Sequence, residues 1–372
     1  MERSERKRRQ AGRILIVVLV TAVLLLLATH VILAWQFNTS HLQRRLEAAI
    51  AKATDSLYVV RIGRSRFSLF GRAFAIEDFE LYPDTAAFRR KAPLSHERYL
   101  LTARSLAMGG VGLWHFFHRQ LWARSIAIDS LRMEIEVDRT KPRGPMLPAV
   151  LPQQALQKSR PFRIDELHLT NSEVRFFERA IDGTRFGELP FTHLEAVVRN
   201  VSNDPLRMSR ASACEIDIRA RFADAAPLLA RFEYDLAAER LNLSYRVAVG
   251  RMNAQALNPF IVDMEGVRIR DGQLDSAEWQ VDVRDDTARG QLHLLYHDLA
   301  IETLDKASHH RDLSDVLHTF IFNNFKLNSD NPSGDKPALT APLWQARLPE
   351  TPLFKFIWLT LREGVLKTLG LR

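Results

Sequence analysis

The chain has 372 residues, 46% hydrophobic and 26% charged, a balance that excludes an intrinsically disordered polypeptide and leaves room for two or three domains or one elongated one. Its single cysteine, Cys214, excludes an intramolecular disulfide framework and a multi-cysteine metal site. Half of the net charge of +8 sits in residues 1–13, where six basic side chains face two acidic ones, so no nucleic-acid partner is expected: a nucleic-acid reader concentrates its charge on a folded face.

The basic leader, 1–13, precedes an apolar run over 14–35 that is interrupted only by Thr21, Thr29 and His30. At ~1.5 Å rise per residue the run spans roughly 33 Å, enough for a bilayer's hydrocarbon core. A cleaved signal peptide fits poorly, because Ile32 stands where a cut after Ala34 needs a small residue. The expectation is a single-pass anchor in a lipid bilayer, N-terminus cytoplasmic by its basic leader and the bulk of the chain across the membrane, with Trp35 at the interface. A juxtamembrane helix is predicted over 36–56. Thr39 or Ser40 would be its N-cap, followed by Leu42, Leu46, Ala49, Ile50 and Ala53 at helical spacing.

Strand-like text then runs almost without pause, about a dozen strands by alternation. It falls into a first sheet segment over 57–141 and a second over 162–306. Between them lies a proline-rich crossing at 142–161, one of two clusters that hold most of the chain's prolines. A helix is predicted over 307–327, with Leu313, Val316, Leu317, Phe320 and Ile321 on one face. The second proline cluster marks a linker over 328–351. The last segment, 352–372, reads as an amphipathic helix with Thr351-Pro352 as its start and Phe354, Ile357, Trp358, Leu361, Val365 and Leu369 as one apolar stripe. Two roles are open to it: lying on a membrane surface, or capping the end of the sheet.

Within the strands one phrase recurs. Ile126 and Ile128 alternate with polar residues, the beat skips at Asp129-Ser130, and Leu131, Met133, Ile135 and Val137 resume on the opposite parity. A bulge or sharp bend at the skip returns both halves to one face. Phe74, Ile76, Phe79 and Leu81 repeat the pattern around Glu77-Asp78, and Phe162, Ile164, Leu167 and Leu169 around Asp165-Glu166. A looser copy runs from Val267 to Leu274, with Gly272 at the skip. The copies are irregularly spaced, which excludes a strict solenoid; loose matches of this kind also arise by chance in a β-rich chain.

The order of features resembles the AsmA-like group, bacterial envelope proteins related to AsmA and TamB, and within it the shorter members known only as domains of unknown function. The residues that carry the resemblance are the leader and anchor, 58–84, 101–139, 162–178 after the crossing, 290–302 and 328–370. The resemblance implies a mainly β protein: a single transmembrane helix, then an elongated, curved antiparallel sheet forming an apolar groove, with few short helices. It implies an inner-membrane anchor, a periplasmic body, and binding or transfer of phospholipid for maintenance of the outer membrane. The alternative it implies is an assembly or scaffold factor for other envelope proteins. The groove face would be the fourteen apolar residues of the three closest phrases, and at about 4.8 Å per strand a dozen strands would give a groove of roughly 58 Å. Among 56–300 the main helical candidate to cover that face is 112–121.

No hydrolase, metal, phosphate-loop or dinucleotide motif is present, and neither an enzyme nor a cofactor is expected. His309-His310 beside Asp312 reads as a solvated turn, His293 and His297 lack a carboxylate cluster, and Asp285-Asp286 reads as a hairpin turn. Asn38, Asn200 and Asn242 lie in glycosylation sequons, which bear only on a eukaryotic chain.

Overall fold

Among the described residues, alternation of apolar and charged residues from Tyr58 onward builds fourteen strands into one curved sheet, and the fold is mainly β. The computed structural model describes residues 38–68, 73–91, 97–112, 120–141, 153–154, 161–180, 185–203, 213–304 and 328–370. The leader and anchor at 1–35, most of the 112–121 candidate, most of the proline-rich crossing, and the 307–327 helix with His309 and His310 lie outside them. No helix of the described residues is long and apolar enough to cross a membrane.

The strands are β1 (Tyr58–Ser68), β2 (Ala73–Pro83), β3 (Glu97–Gly109), β4 (Leu121–Asp129), β5 (Arg132–Asp138), β6 (Phe162–Arg179) and β7 (Gly187–Ser202). They continue with β8 (Cys214–Phe222), β9 (Ala226–Tyr234), β10 (Leu243–Val249), β11 (Met252–Asn253), β12 (Val267–Arg284), β13 (Thr287–Thr303) and β14 (Thr340–Ala346). Neighbours follow chain order, except that β4 and β5 lie end to end between β3 and β6, and β11 adds a short pairing to β12. Among the described residues four α-helices accompany the sheet: α1 (Thr39–Ala53), α2 (Thr85–Lys91), α3 (Asn258–Glu265) and α4 (Leu353–Thr368).

Two expectations about the sheet need correction. It is mixed rather than antiparallel, because β6 runs parallel to both β4 and β5. The cause is the crossing between Asp138 and Phe162: a tight hairpin reverses a chain, whereas a stretch of this length carries it back to start a parallel strand. That crossing joins the two predicted segments into one sheet. The second correction concerns 328–351, which is not all linker but contains β14, paired antiparallel with β13. Pro342 hid it; proline lacks the N–H of a central strand but is accepted at a sheet edge, where β14 lies.

The skipped beats are real bends. Asp78 (φ 52°), Ser130 (φ 55°), Asn171 (φ 50°) and His193 (φ 48°) are left-handed, and the registers set them side by side as a crease crossing β2 to β7. The third phrase was misplaced in part: the left-handed residue of β6 is Asn171, not Asp165 or Glu166. Those two residues lie by a second bend, where Asn200 of β7 has φ 60°. In the looser copy Gly272 takes φ 139° amid shifted register, a conformation that a side chain disfavours. Asp285 and Asp286 form the tight turn of the β12–β13 hairpin, both at positive φ.

The filled core lies under the later strands. Val247, Val281, Leu292 and Leu343 from β10, β12, β13 and β14 pack with Phe356 of α4, which is fully buried. Helix α4 approaches closely because its contact ridge is small: Thr360 and Thr368 are buried and bond their own helical carbonyls. A methyl at Gly364 would overlap Leu343 and stand 3.3 Å from Leu292 Cβ. At this helix's start Pro352 occupies the N-cap with no side-chain bond, so Thr351 is not the cap. In α1 the cap is Asn38, accepting from the Ser40 N–H at 3.0 Å, rather than Thr39 or Ser40.

Candidate functional site

On the face that carries α4, the inner face, cross-strand pairing aligns apolar residues into rows that run perpendicular to the strands. One row passes from Phe74 through Met108, Ile126, Leu167, Val198, Ile216, Phe232, Tyr245 and Val281 to Gly290 and Leu343. The next passes from Ile76 through Leu106, Ile128, Leu169, Ala196, Ile218, Ala230, Val247 and Trp279 to Leu292 and Ala341. Beyond the crease Phe79 pairs with Ile62 and Ala103, Leu81 aligns with Val60, Leu101, Met133 and Val174, and Ile135 lies between Tyr99 and Phe176. None of these residues is charged.

The structure therefore brings together Phe74, Ile76, Phe79, Leu81, Ile126, Ile128, Met133, Ile135, Leu167 and Leu169. The other four predicted groove residues stand apart from the rows. Leu131 sits in the crease, its N–H directed to Ser172 Oγ at 3.2 Å. Val137 is flanked by Glu97 and by buried Glu178, which pairs with Arg139. Phe162 and Ile164 lie past the second bend beside Leu121 and Ala123. Sequence reasoning missed the β3 contribution. Leu101, Ala103, Leu106 and Met108 repeat the phrase with Arg104-Ser105 at the skip, and the search required an acid there. Arg104 pairs with Asp129 of the neighbouring strand, so the charge is reversed while the bend is kept.

Cover over these rows is uneven. In β2 to β6 only Ile76 of the predicted residues is buried, and all the others are half-buried. Across β9 to β14 the same rows pack under α4 and neighbouring side chains, with Val281 and Leu292 fully buried, although Ile216 and Ile218 of β8, Phe232 and Trp279 stay half-buried. Helix α3 crosses between β6, β7 and β12. The transition falls at Phe176 of β6, whose ring lies 6.0 Å from Phe260 of α3 and 5.5 Å from Phe354 of α4. Of the predicted α4 stripe, Ile357, Leu361 and Val365 pack partly on the core, while Phe354 is 56% and Trp358 36% exposed. The helix lies on the sheet, and the expectation that few helices cover the inner face is corrected for its later half. The lane, half-buried apart from Val60, Ile76 and Ala103, extends over β1 to β6, about 24 Å at 4.8 Å per strand, instead of the full sheet.

The outer face is a lattice of ion pairs. Glu77 meets Arg64 and Arg66, Glu173 meets Arg132 and Arg175, and Asp217 meets Arg199. At the crease Asp129 is held down to about pKa 2: the bond from Asn171 comes first, opposed by desolvation and reinforced by Arg104 and Thr170. His297 does have a carboxylate partner, Asp275 at 2.8 Å, with Arg251 on the same carboxylate. Among the described residues no group of three or more His, Cys, Asp or Glu is placed to hold a metal. Burial pushes the Cys214 thiol up to about 11, which leaves it protonated and unreactive at neutral pH.

The α1 helix closes one sheet edge. Gln43 donates to the Val60 carbonyl at 2.7 Å and accepts from the Ile62 N–H at 2.9 Å, and Thr39 Oγ1 accepts from the Ser65 N–H at 2.9 Å. Two side chains thus take the place of a neighbouring strand. No protein-family model matches the chain, and no curated protein matches it.

Proposed function

We propose that the chain is a non-enzymatic, membrane-anchored envelope protein of the AsmA-like kind, whose β1–β6 inner face holds phospholipid acyl chains. The observation that carries this reading is the contrast within one continuous set of apolar rows. From β9 to β14 most row residues are buried under α4, whereas from β2 to β6 all but Ile76 and Ala103 stay half-buried and none is charged. An apolar face of that extent needs an apolar occupant, and each acyl methylene buried there contributes about 0.8 kcal/mol. The apolar run at 14–35 agrees with delivery from a bilayer: only residues 36–38 separate it from α1, and α1 is clamped to β1, the first strand of the lane. In this reading the partners are the bilayer and phospholipid, the location is the inner membrane with the sheet in the periplasm, and no cofactor takes part.

The test is photo-crosslinking of the full chain in membranes containing a phospholipid with a diazirine in its acyl chain, with adducts mapped by mass spectrometry. Adducts on β2–β6 peptides are expected, lost in Ile128→Glu and retained in Ala127→Glu on the opposite face. Adducts confined to 14–35, or equal labelling of both variants, would overturn the reading.

A further inference from the structure

We propose that Phe354, seated against Phe176, is the end wall of the acyl lane and sets the longest chain the protein accepts. The inference rests on the lipid reading above. Phe354 is the first turn of α4 and more than half exposed, although Phe356, two residues on, is fully buried in the core. An exposed phenylalanine is ordinary on its own; this one has a place. Its ring stands 5.5 Å from Phe176, which shares a row with Ile135 of β5 and Leu189 of β7. Phe260 approaches the same ring at 6.0 Å from the α3 side. The three rings stand where the row through Tyr99, Ile135 and Phe176, on the far side of the crease from Ile126 and Ile128, passes under α3 and α4. A chain lying along that row from β3 therefore meets aromatic edges at this point. The rest of α4 cannot yield, because Gly364 and Phe356 are locked against Leu292 and Leu343.

Such a wall gives length selectivity by simple physics. Every methylene that finds protein contact improves binding roughly fourfold, and those pushed past the wall gain nothing. Retention should rise with chain length to a break and then level off. The position of the break should depend on the size of residue 354.

The full chain, purified in a mild detergent, is incubated with an equimolar series of saturated phosphatidylcholines from didecanoyl to didocosanoyl. Retained lipid is quantified after gel filtration. Ile128→Glu measured in parallel supplies the background from micelle and anchor. Wild type should show enrichment that rises about fourfold or more with each longer member up to a break and stays level beyond it. Phe354→Ala should move the break to longer chains and Phe354→Trp to shorter ones, whereas Trp344→Ala, on the outer face, should leave it in place. An unchanged break in both Phe354 variants, or enrichment without a break, would overturn the wall while leaving the lane intact. Retention by wild type no greater than by Ile128→Glu would remove both the lane and its wall.

Discussion

Asn171 donates through Nδ2 to Asp129 Oδ1 at 2.8 Å, joining two parallel strands at the point where both bend. The carboxylate also accepts from Thr170 Oγ1 at 3.1 Å and from Arg104, so strands β3, β4 and β6 are tied through one residue. Left-handed backbone at Ser130 and Asn171 costs free energy, and these bonds offset it. Asp129→Ala should lower the urea midpoint. Ser130→Gly should be neutral or stabilising, and Ser130→Val should cost about 1–2 kcal/mol. Equal midpoints for Asp129→Ala and wild type would show that the bend holds without its carboxylate.

Asp138 and Arg179 form the second parallel tie, between β5 and β6. Arg179 Nε donates to Oδ1 at 3.0 Å and Nη2 reaches Oδ2, while Thr140 Oγ1 adds a bond at 2.6 Å. Desolvation alone would raise this carboxyl, but the bonds from Arg179 and Thr140 outweigh it and hold it at about 2 against an ordinary 3.8. A carboxyl with a depressed folded value stabilises the fold fully above its unfolded value and loses that contribution as pH falls. The pair's share, about 1–2 kcal/mol, should therefore be intact above about pH 4 and disappear as pH falls through about 2. Asp138→Asn should be less stable at neutral pH and show a shallower loss of stability over that window in acid titrations followed by circular dichroism. Parallel curves would assign the acid sensitivity elsewhere.

Much of this architecture was legible because a strand with one dry face writes its period of two plainly. The crease was legible as well, since Asp78 and Ser130 each fall where the beat skips. The parallel junction was hidden: nothing in the alternation of Ile126, Ile128 and Leu167 tells whether their strands run together or opposed. Helix α4 misled for a related reason. Its predicted apolar stripe is only partly the face it buries: Ile357, Leu361 and Val365 pack on the core and Phe354 and Trp358 do not, while the ridge of Thr360, Gly364 and Thr368 is buried, and small residues give little hydropathic signal. Likewise Arg104 stood in place of an acid in β3 because cross-strand pairing needs opposite charges on neighbours, not one charge repeated.

The contact ridge of α4 makes a sharp stability prediction. Gly364→Ala adds one methyl where Leu343 and Leu292 leave no room, so the gain in helix propensity should be overwhelmed. A net loss of about 1–3 kcal/mol is expected, read as a lower thermal midpoint. Lys355→Ala on the same helix lies away from that ridge and should change the midpoint little. A stabilised Gly364→Ala protein would mean that the helix sits off the sheet in solution.

Gln43 closes the β1 edge with a pair of bonds that no other side chain of α1 duplicates on Val60 and Ile62. An unpaired edge strand is a template for joining other chains, so this residue guards the end of the sheet as well as fixing α1. Gln43→Ala should cost about 1–2 kcal/mol through the orphaned Ile62 N–H, which lies in a part-buried position. It should also raise amide exchange at Ile62 and Ser65 while leaving β8–β10 amides protected, because the core under α4 lies at the far side of the sheet. Concentration-dependent association should appear in the variant by analytical ultracentrifugation, whereas Gln43→Glu should keep Ile62 protected, since a carboxylate can accept from Ile62, and lose only the bond to Val60, to which it cannot donate. Were exchange at Ile62 unaltered by Gln43→Ala, the edge would be protected by something other than this glutamine.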